Sequence, residues 1–144
     1  MRTSGKTQGT SFPAKRPLFY YITDRHQLPS ASMTVLLRKA ERAISWGVDF
    51  IQLREKDLSD CELFRLTIDA VRLARRTTCR ILVNGRIDIA LAAHAHGVHL
   101  PATGLEIACL RPYLPRGFLV GASTHSLGEA RRAAASGADY ILLG

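Results

Sequence analysis

The chain has 144 residues, a length that corresponds to one domain with one core. Its 47% hydrophobic and 22% charged residues exclude a disordered chain, and no apolar run reaches the roughly 20 residues that a membrane-spanning helix needs. Residues 1–17 carry +4 of the net charge of +8, and we expect this basic tail to be disordered. The remaining charge forms no basic stripe of the kind that contacts nucleic acid, and three widely spaced cysteines favour free thiols in the cytoplasm.

Short apolar segments alternate with helical patterns from residue 18 onward. The first strand is predicted at 18–23, and the first helix over 32–47, where Gly47 ends it and Trp46 is expected to pack in the core. A strand at 48–53 precedes a helix that begins with the capping box Ser59–Glu62. Later strands are predicted at 80–86, 97–100, 118–123 and 139–144, with helices at 88–96, at 106–114 and from a second capping box, Ser126–Glu129, to Gly137.

Strands that alternate with helices predict parallel pairing through right-handed crossovers. The pattern is typical of a doubly wound sheet or of a (β/α)8 barrel, and in both the ligand site lies beyond the carboxyl ends of the strands. Polar residues collect at the ends of the first five predicted strands: Asp24 and Arg25, Gln52 to Lys56, Asn84 to Arg86, His99, and Ser123 to His125. This distribution favours a binding site that suits an anion over a set of solvated loops.

Four segments together resemble the superfamily of thiamine-phosphate synthases and TenI-type thiazole tautomerases: "YYITDR", "DFIQLREKD", "ILVNGRIDIALAAHAHGVHLP" and "GASTHSLGEARRAAASGADYILLG". The resemblance covers residues 18–144 and implies an α/β fold, the (β/α)8 TIM barrel. Only about six βα units match, so we expect residues 18–144 to form an incomplete barrel domain.

The resemblance implies a transferase that couples an aminopyrimidine methyl diphosphate to a thiazole phosphate and releases pyrophosphate. The partners would then be phosphorylated pyrimidine and thiazole molecules, with no nucleic acid and no membrane, and a homodimer is possible. Strand alternation places Gln52, Arg54 and Lys56 on the side of the barrel axis, where Arg and Lys can bind a diphosphate, and Glu55 on the other side. Asn84 and Ser123 are further candidate substrate-binding residues, although Ser123 could instead satisfy a turn.

The resemblance also implies Mg²⁺ for the synthases, held by two aspartates that follow the third and fourth strands. Gly85 and Gly104 stand at those positions, so we predict no metal ligands here. The tautomerase branch uses no metal, and its acid–base group matches His125, whose alternative role is to cap the next helix. Synthase, tautomerase and a non-catalytic relative that binds phosphorylated ligands therefore remain the three alternatives.

Overall fold

A computed structural model describes residues 16–144, so residues 1–15 of the predicted disordered tail lie outside the described residues. The strands are β1 Tyr20–Ile22, β2 Phe50–Leu53, β3 Arg80–Asn84, β4 Gly97–Leu100, β5 Leu119–Thr124 and β6 Tyr140–Leu143. The α-helices are α1 Met33–Ser45, α2 Asp60–Ala74, α3 Ile87–Ala92, α4 Ile107–Leu110 and α5 Leu127–Ala135. Two 3₁₀ turns, Arg25–Gln27 and Arg111–Tyr113, complete the elements, and every predicted strand and helix is found.

The six strands form one sheet in the order β1-β2-β3-β4-β5-β6, and every pairing is parallel. The two edge strands nevertheless meet, because the hydroxyl groups of Tyr20 on β1 and Tyr140 on β6 lie 2.9 Å apart. A sheet whose edges approach each other in this way must curl. The prediction of an incomplete α/β barrel is therefore confirmed, and the doubly wound alternative is not adopted.

Alternation along the strands divides the core into two layers. The outer layer lies between the sheet and the helices, and includes the buried side chains of Ile51, Leu53, Ile81, Val83, Val98 and Val120 from the strands and of Leu36, Leu66 and Ala70 from α1 and α2. The inner layer is smaller and consists of Phe50, Leu82 and Leu119 with the rings of Tyr20 and Tyr140 against them. Inward-facing residues beyond this inner layer are polar, and they define the site described below.

The helix starts follow the predicted capping pattern in one case fully and in the other partly. At α2 both bonds of the capping box form, since Ser59 Oγ accepts from Glu62 N and Glu62 Oε2 accepts from Ser59 N. At α5 Ser126 Oγ accepts from Glu129 N, but the Glu129 carboxylate accepts from the backbone of His125 instead of Ser126. The Glu129 carboxylate thereby holds the loop that follows β5.

The expectation that Trp46 packs in the core is wrong. Its side chain is 74% exposed, and the guanidinium of Arg42 lies 4.8 Å from the ring centroid. Helix α1 ends at Ser45, and Gly47 then reverses the chain at a φ of +83°, which leaves residue 46 on the solvent side of the helix end. A cation–π contact with Arg42 replaces core packing.

Candidate functional site

A continuous hydrogen-bonded chain crosses the concave side of the sheet and takes one residue from each strand. We call it the interior polar chain; in order of contact its members are Asn84, Gln52, Tyr20, Tyr140, His99 and Ser123. The donor–acceptor distances along it are 2.8, 2.8, 2.9, 3.1 and 2.8 Å. Three residues predicted from the sequence to bind substrate, Gln52, Asn84 and Ser123, are therefore brought together in one network.

Burial keeps the central members of this chain electrically neutral at neutral pH. Desolvation lowers the pKa of His99 to about 4, and the side chain is 2% exposed. Desolvation also raises the pKa of Tyr20 to about 12, and it raises the pKa of Tyr140, beside the Tyr20 ring, further still. Neutral imidazole and phenol groups hold a fixed hydrogen-bond pattern, which suits the recognition of a polar ring.

Arg54 directly follows β2 and Lys56 lies in the turn after it, and both residues are exposed. The Arg54 backbone is fixed, because its N–H donates to the buried hydroxyl of Thr23 over 3.0 Å. Within residues 16–144 neither cationic side chain has a hydrogen-bond or ion-pair partner. Two unpaired cations beside a polar interior can bind an anionic ligand.

Glu55 lies on the opposite side of the same segment, as predicted, and is buried. Its Oε2 accepts from the backbone N–H of Arg25 over 3.1 Å and from the Arg25 guanidinium over 3.3 Å. The same guanidinium makes two 2.6 Å bonds to Asp57, and this contact lowers the pKa of the Asp57 carboxyl. Arg25 is thus neutralised by carboxylates and ties the loop after β1 to the loop after β2, which leaves Arg54 and Lys56 as the cations for a ligand.

The loop after β3 offers no fit for Mg²⁺. Gly85 has no side chain, and the nearby Arg86 already binds both Asp60 and Asp88, whose pKa values it lowers. Gly104, after β4, likewise has no ligand to offer. No group of three or more His, Cys, Asp or Glu side chains that could hold a metal occurs between residues 16 and 144. The donor set therefore does not suit a hard cation.

His125 lies in the loop after β5 and is exposed. Its Nδ1 is 2.5 Å from the carbonyl oxygen of Gly144, so Nδ1 donates there and Nε2 is the nitrogen left to accept or transfer a proton. Its backbone N–H donates to Glu129 at the start of α5. Among the described residues, His125 contacts the start of α5 through its backbone, while Nε2 of its ring makes no hydrogen bond and lies in the same loop region as Ser123.

Another concavity lies at the amino ends of the strands, away from every predicted site residue. It encloses about 750 Å³ and is lined by the cations Arg16, Arg80 and Arg116, by His94 and His96, and by the rings of Phe50 and Phe118. Arg16 is already paired with Asp49 through bonds of 2.6 and 2.9 Å. In barrels of this kind catalytic groups lie at the carboxyl ends of the strands, so we place the site at that end and not in this cavity.

Sequence reasoning did not find two members of the interior polar chain, Tyr20 and Tyr140. Both stand in apolar strand segments, where aromatic residues ordinarily indicate core packing. Their rings do pack, with centroids 5.6 Å apart, but their hydroxyl groups link β1 to β6. The signal available in the sequence was the glycine opposite Tyr140: Gly121 on β5 is its register partner and leaves room for a large ring to cross the interior.

Comparisons with known proteins agree with the resemblance. The family model described as thiamine monophosphate synthase matches residues 19–144. A provisionally named thiamine-phosphate synthase of Geobacter sulfurreducens is 47% identical over 125 residues, which cover 87% of this chain and 57% of that protein. A thiamine-phosphate synthase of Methanoculleus marisnigri is 42% identical over 124 residues, which cover 86% and 57%.

A solved structure, a thiamine phosphate pyrophosphorylase from Pyrococcus furiosus, aligns with a TM-score of 0.77 and 31% identity over 88% of this chain and 59% of that one. The chain thus spans less than two thirds of the length of these three relatives. No helix among residues 16–144 is long and apolar enough to cross a membrane. With a family model that matches nearly the whole described chain, the protein belongs to the thiamine monophosphate synthase family.

Proposed function

We propose that this chain forms the greater part of a thiamine-phosphate synthase site and binds phosphorylated pyrimidine and thiazole molecules. The observation that carries the proposal is the pair of unpaired cations, Arg54 and Lys56, next to the interior polar chain at the carboxyl ends of the strands. The cations suit a diphosphate, and the neutral side chains suit the edge of a heteroaromatic ring. Names of the relatives support the same substrate class.

The reaction proposed is the displacement of pyrophosphate from an aminopyrimidine methyl diphosphate. The bond between the methylene carbon and the diphosphate oxygen breaks, the leaving oxygen takes the electron pair, and the thiazole nitrogen forms the new bond to that carbon. Arg54 and Lys56 would stabilise the charge that develops on the leaving diphosphate. Gln52, Asn84 and Ser123 would orient the pyrimidine ring for the in-line approach of the nitrogen.

Calorimetry with inorganic pyrophosphate tests the anion site. We expect Arg54→Ala to weaken binding by roughly 10- to 150-fold, which corresponds to about 1.5–3 kcal/mol for a charge-assisted hydrogen bond. The matched control is Arg65→Ala, which removes the same charge from an exposed position on α2 where Arg65 makes no hydrogen bond or ion pair with residues 16–144. Equal affinities for the two variants would remove the argument for an anion site at the end of β2.

The tautomerase reaction is the second candidate, favoured by one observation: glycine stands at both positions that would need Mg²⁺ ligands, Gly85 and Gly104. In this reaction His125 would move a proton on a thiazole carboxylate phosphate through Nε2. Incubation with that substrate, followed by NMR, distinguishes the two. Tautomerisation that His125→Gln abolishes would favour the second candidate, whereas coupling of pyrimidine to thiazole that survives His125→Gln would favour the first.

The location and assembly of the protein stay predictions. We propose a cytoplasmic protein that acts on small phosphorylated molecules, with residues 18–144 as one incomplete barrel domain and with homodimer formation possible. Sedimentation equilibrium across a hundredfold concentration range checks the assembly. A single species of monomer mass at every concentration would contradict the dimer.

A further inference from the structure

The interior polar chain contains three neutral groups that each carry one exchangeable proton: the hydroxyls of Tyr20 and Tyr140 and the imidazole of His99. Each of these protons can be used in only one of the two hydrogen bonds that its residue makes. The Tyr20 hydroxyl donates to Gln52 Oε1 over 2.8 Å, so the Tyr20 oxygen must accept from Tyr140. The use of one proton therefore determines the use of the next.

The same reasoning determines the donors and acceptors at both ends of the interior polar chain. The Tyr140 hydroxyl donates to Tyr20, so the Tyr140 oxygen accepts from Nδ1–H of His99 over 3.1 Å. A neutral imidazole with a proton on Nδ1 has none on Nε2, so Nε2 accepts from the Ser123 hydroxyl over 2.8 Å. At the other end Gln52 Nε2 donates to Asn84 Oδ1 over 2.8 Å.

Only one other arrangement gives every bond one proton and also uses both tyrosine protons within the interior polar chain. It reverses all five hydrogen bonds and rotates the amides of Gln52 and Asn84, so that Ser123 becomes an acceptor and Asn84 a donor within the chain. A mixture of the two directions leaves a contact with two protons or with none, or it makes one tyrosine oxygen accept from both neighbours while its own proton has no acceptor within the interior polar chain. Each of these outcomes is costly in a buried site, so the five bonds behave as one unit.

We propose that the interior polar chain has a single direction, from Ser123 to Asn84, and that Tyr140 is the positioning residue that maintains it by holding His99 as the Nδ1–H tautomer. The orientation of the Gln52 amide, with its oxygen toward Tyr20, selects this direction. Burial supports it, because the lowered pKa of His99 keeps the ring neutral at pH 7.

The direction determines what the site offers to a ligand, and this consequence rests on the proposed function. The Ser123 hydroxyl donates to His99, so its oxygen has only lone pairs left for a ligand and accepts from a ligand N–H such as a ring amino group. Asn84 has its oxygen occupied and presents its N–H₂ group to an acceptor such as a ring nitrogen or a phosphate oxygen. The exposed cations Arg54 and Lys56 are then the groups that bind the diphosphate, and Ser123 could donate to it only if all five bonds reversed.

Nitrogen-15 NMR of the unmodified 144-residue chain tests the direction without any ligand. With labelled histidine, long-range correlation between ring nitrogens and ring protons distinguishes the two neutral tautomers. We expect the His99 ring at pH 7 to carry its proton on Nδ1. A proton on Nε2, or an equal mixture of tautomers, would overturn the proposal while leaving the anion site of the proposed function untouched.

Substitution then tests the role of Tyr140. Tyr140→Phe keeps the ring but removes the acceptor of Nδ1–H, so we expect His99 to change to the Nε2–H tautomer, which can still donate to Ser123. Tyr113→Phe is the control, because Tyr113 is 85% exposed and lies outside the interior polar chain. Ser123→Ala, which leaves Tyr140 as acceptor, is expected to keep Nδ1–H. An unchanged Nδ1–H tautomer in Tyr140→Phe would show that Tyr140 does not position His99.

Discussion

Gly121→Ala is a single methyl substitution that we expect to break the centre of the site. Gly121 on β5 is the register partner of Tyr140 on β6, and the Tyr140 ring occupies the space that a side chain at position 121 would take. A Cβ at position 121 would lie 1.9 Å from Tyr140 Cζ and 2.2 Å from its hydroxyl oxygen. No contact of that length is tolerated, so the ring must leave its place.

The cost follows from the contacts that Tyr140 then loses. Its hydrogen bonds to Tyr20 and His99 contribute about 0.5–1.5 kcal/mol each, and its aromatic contact with Phe50, at 6.1 Å between centroids, contributes a similar amount. We therefore expect the free energy of unfolding to fall by about 2–4 kcal/mol. With a urea m-value of about 2 kcal/mol/M, the unfolding midpoint falls by about 1–2 M.

Urea unfolding followed by circular dichroism measures this change. Gly128→Ala is the matched control: it adds the same methyl group in α5, where the nearest heavy atom, Arg132 Nη1, is 3.6 Å away. Alanine is the better helix former, so the control should be as stable as the unmodified chain or up to about 1 kcal/mol more stable. Equal midpoints for the two variants would refute the assignment of Tyr140 to the space above Gly121.

Three further predictions concern magnesium, pH and capping. Gly85→Asp combined with Gly104→Asp should introduce magnesium-dependent binding of pyrophosphate. The double variant should be less stable, because Gly85 has a φ of +68° and a Cβ on Gly104 would lie 2.9 Å from the Pro101 oxygen. Equal magnesium dependence in the unmodified chain would contradict this prediction. The free energy of unfolding should fall by up to about 3 kcal/mol as the pH falls from about 6.5 to about 4. In this pH range the His99 imidazole of the unfolded chain binds a proton, whereas the buried imidazole of the folded chain does not. The same pH dependence in His99→Gln would refute this cause. Ser59→Ala should lower the free energy of unfolding by about 1 kcal/mol, and an unchanged urea midpoint would show that the capping box contributes nothing.

Local patterns predicted the elements of this fold well because their causes are local. The capping box at Ser59 needs only a glutamate three residues later, and both of its bonds form. Glycine at 47 ends α1 because its φ is positive, which also needs no distant partner. Trp46 shows the limit of this reasoning: hydrophobicity suggests burial, but the position of the helix end and the turn at Gly47 decide that the ring faces solvent.

The site was only half predictable for the same reason. The interior position of Gln52 follows from alternation along β2, and alternation is a property of the strand itself. The hydrogen bond between Tyr20 and Tyr140 joins residues 120 positions apart and depends on how strongly the whole sheet curls. No pattern within one strand encodes that curl, so two members of the interior polar chain required the three-dimensional structure.

The most direct test of the account is to locate where inorganic pyrophosphate binds. A titration of the nitrogen-15-labelled chain, followed by backbone amide NMR, reports the affected residues. We predict shifts at the carboxyl ends of the strands, at residues 52–56, 84–86 and 123–125. Shifts confined to the opposite cavity, around Arg80, His94 and Arg116, would contradict the placement of the site.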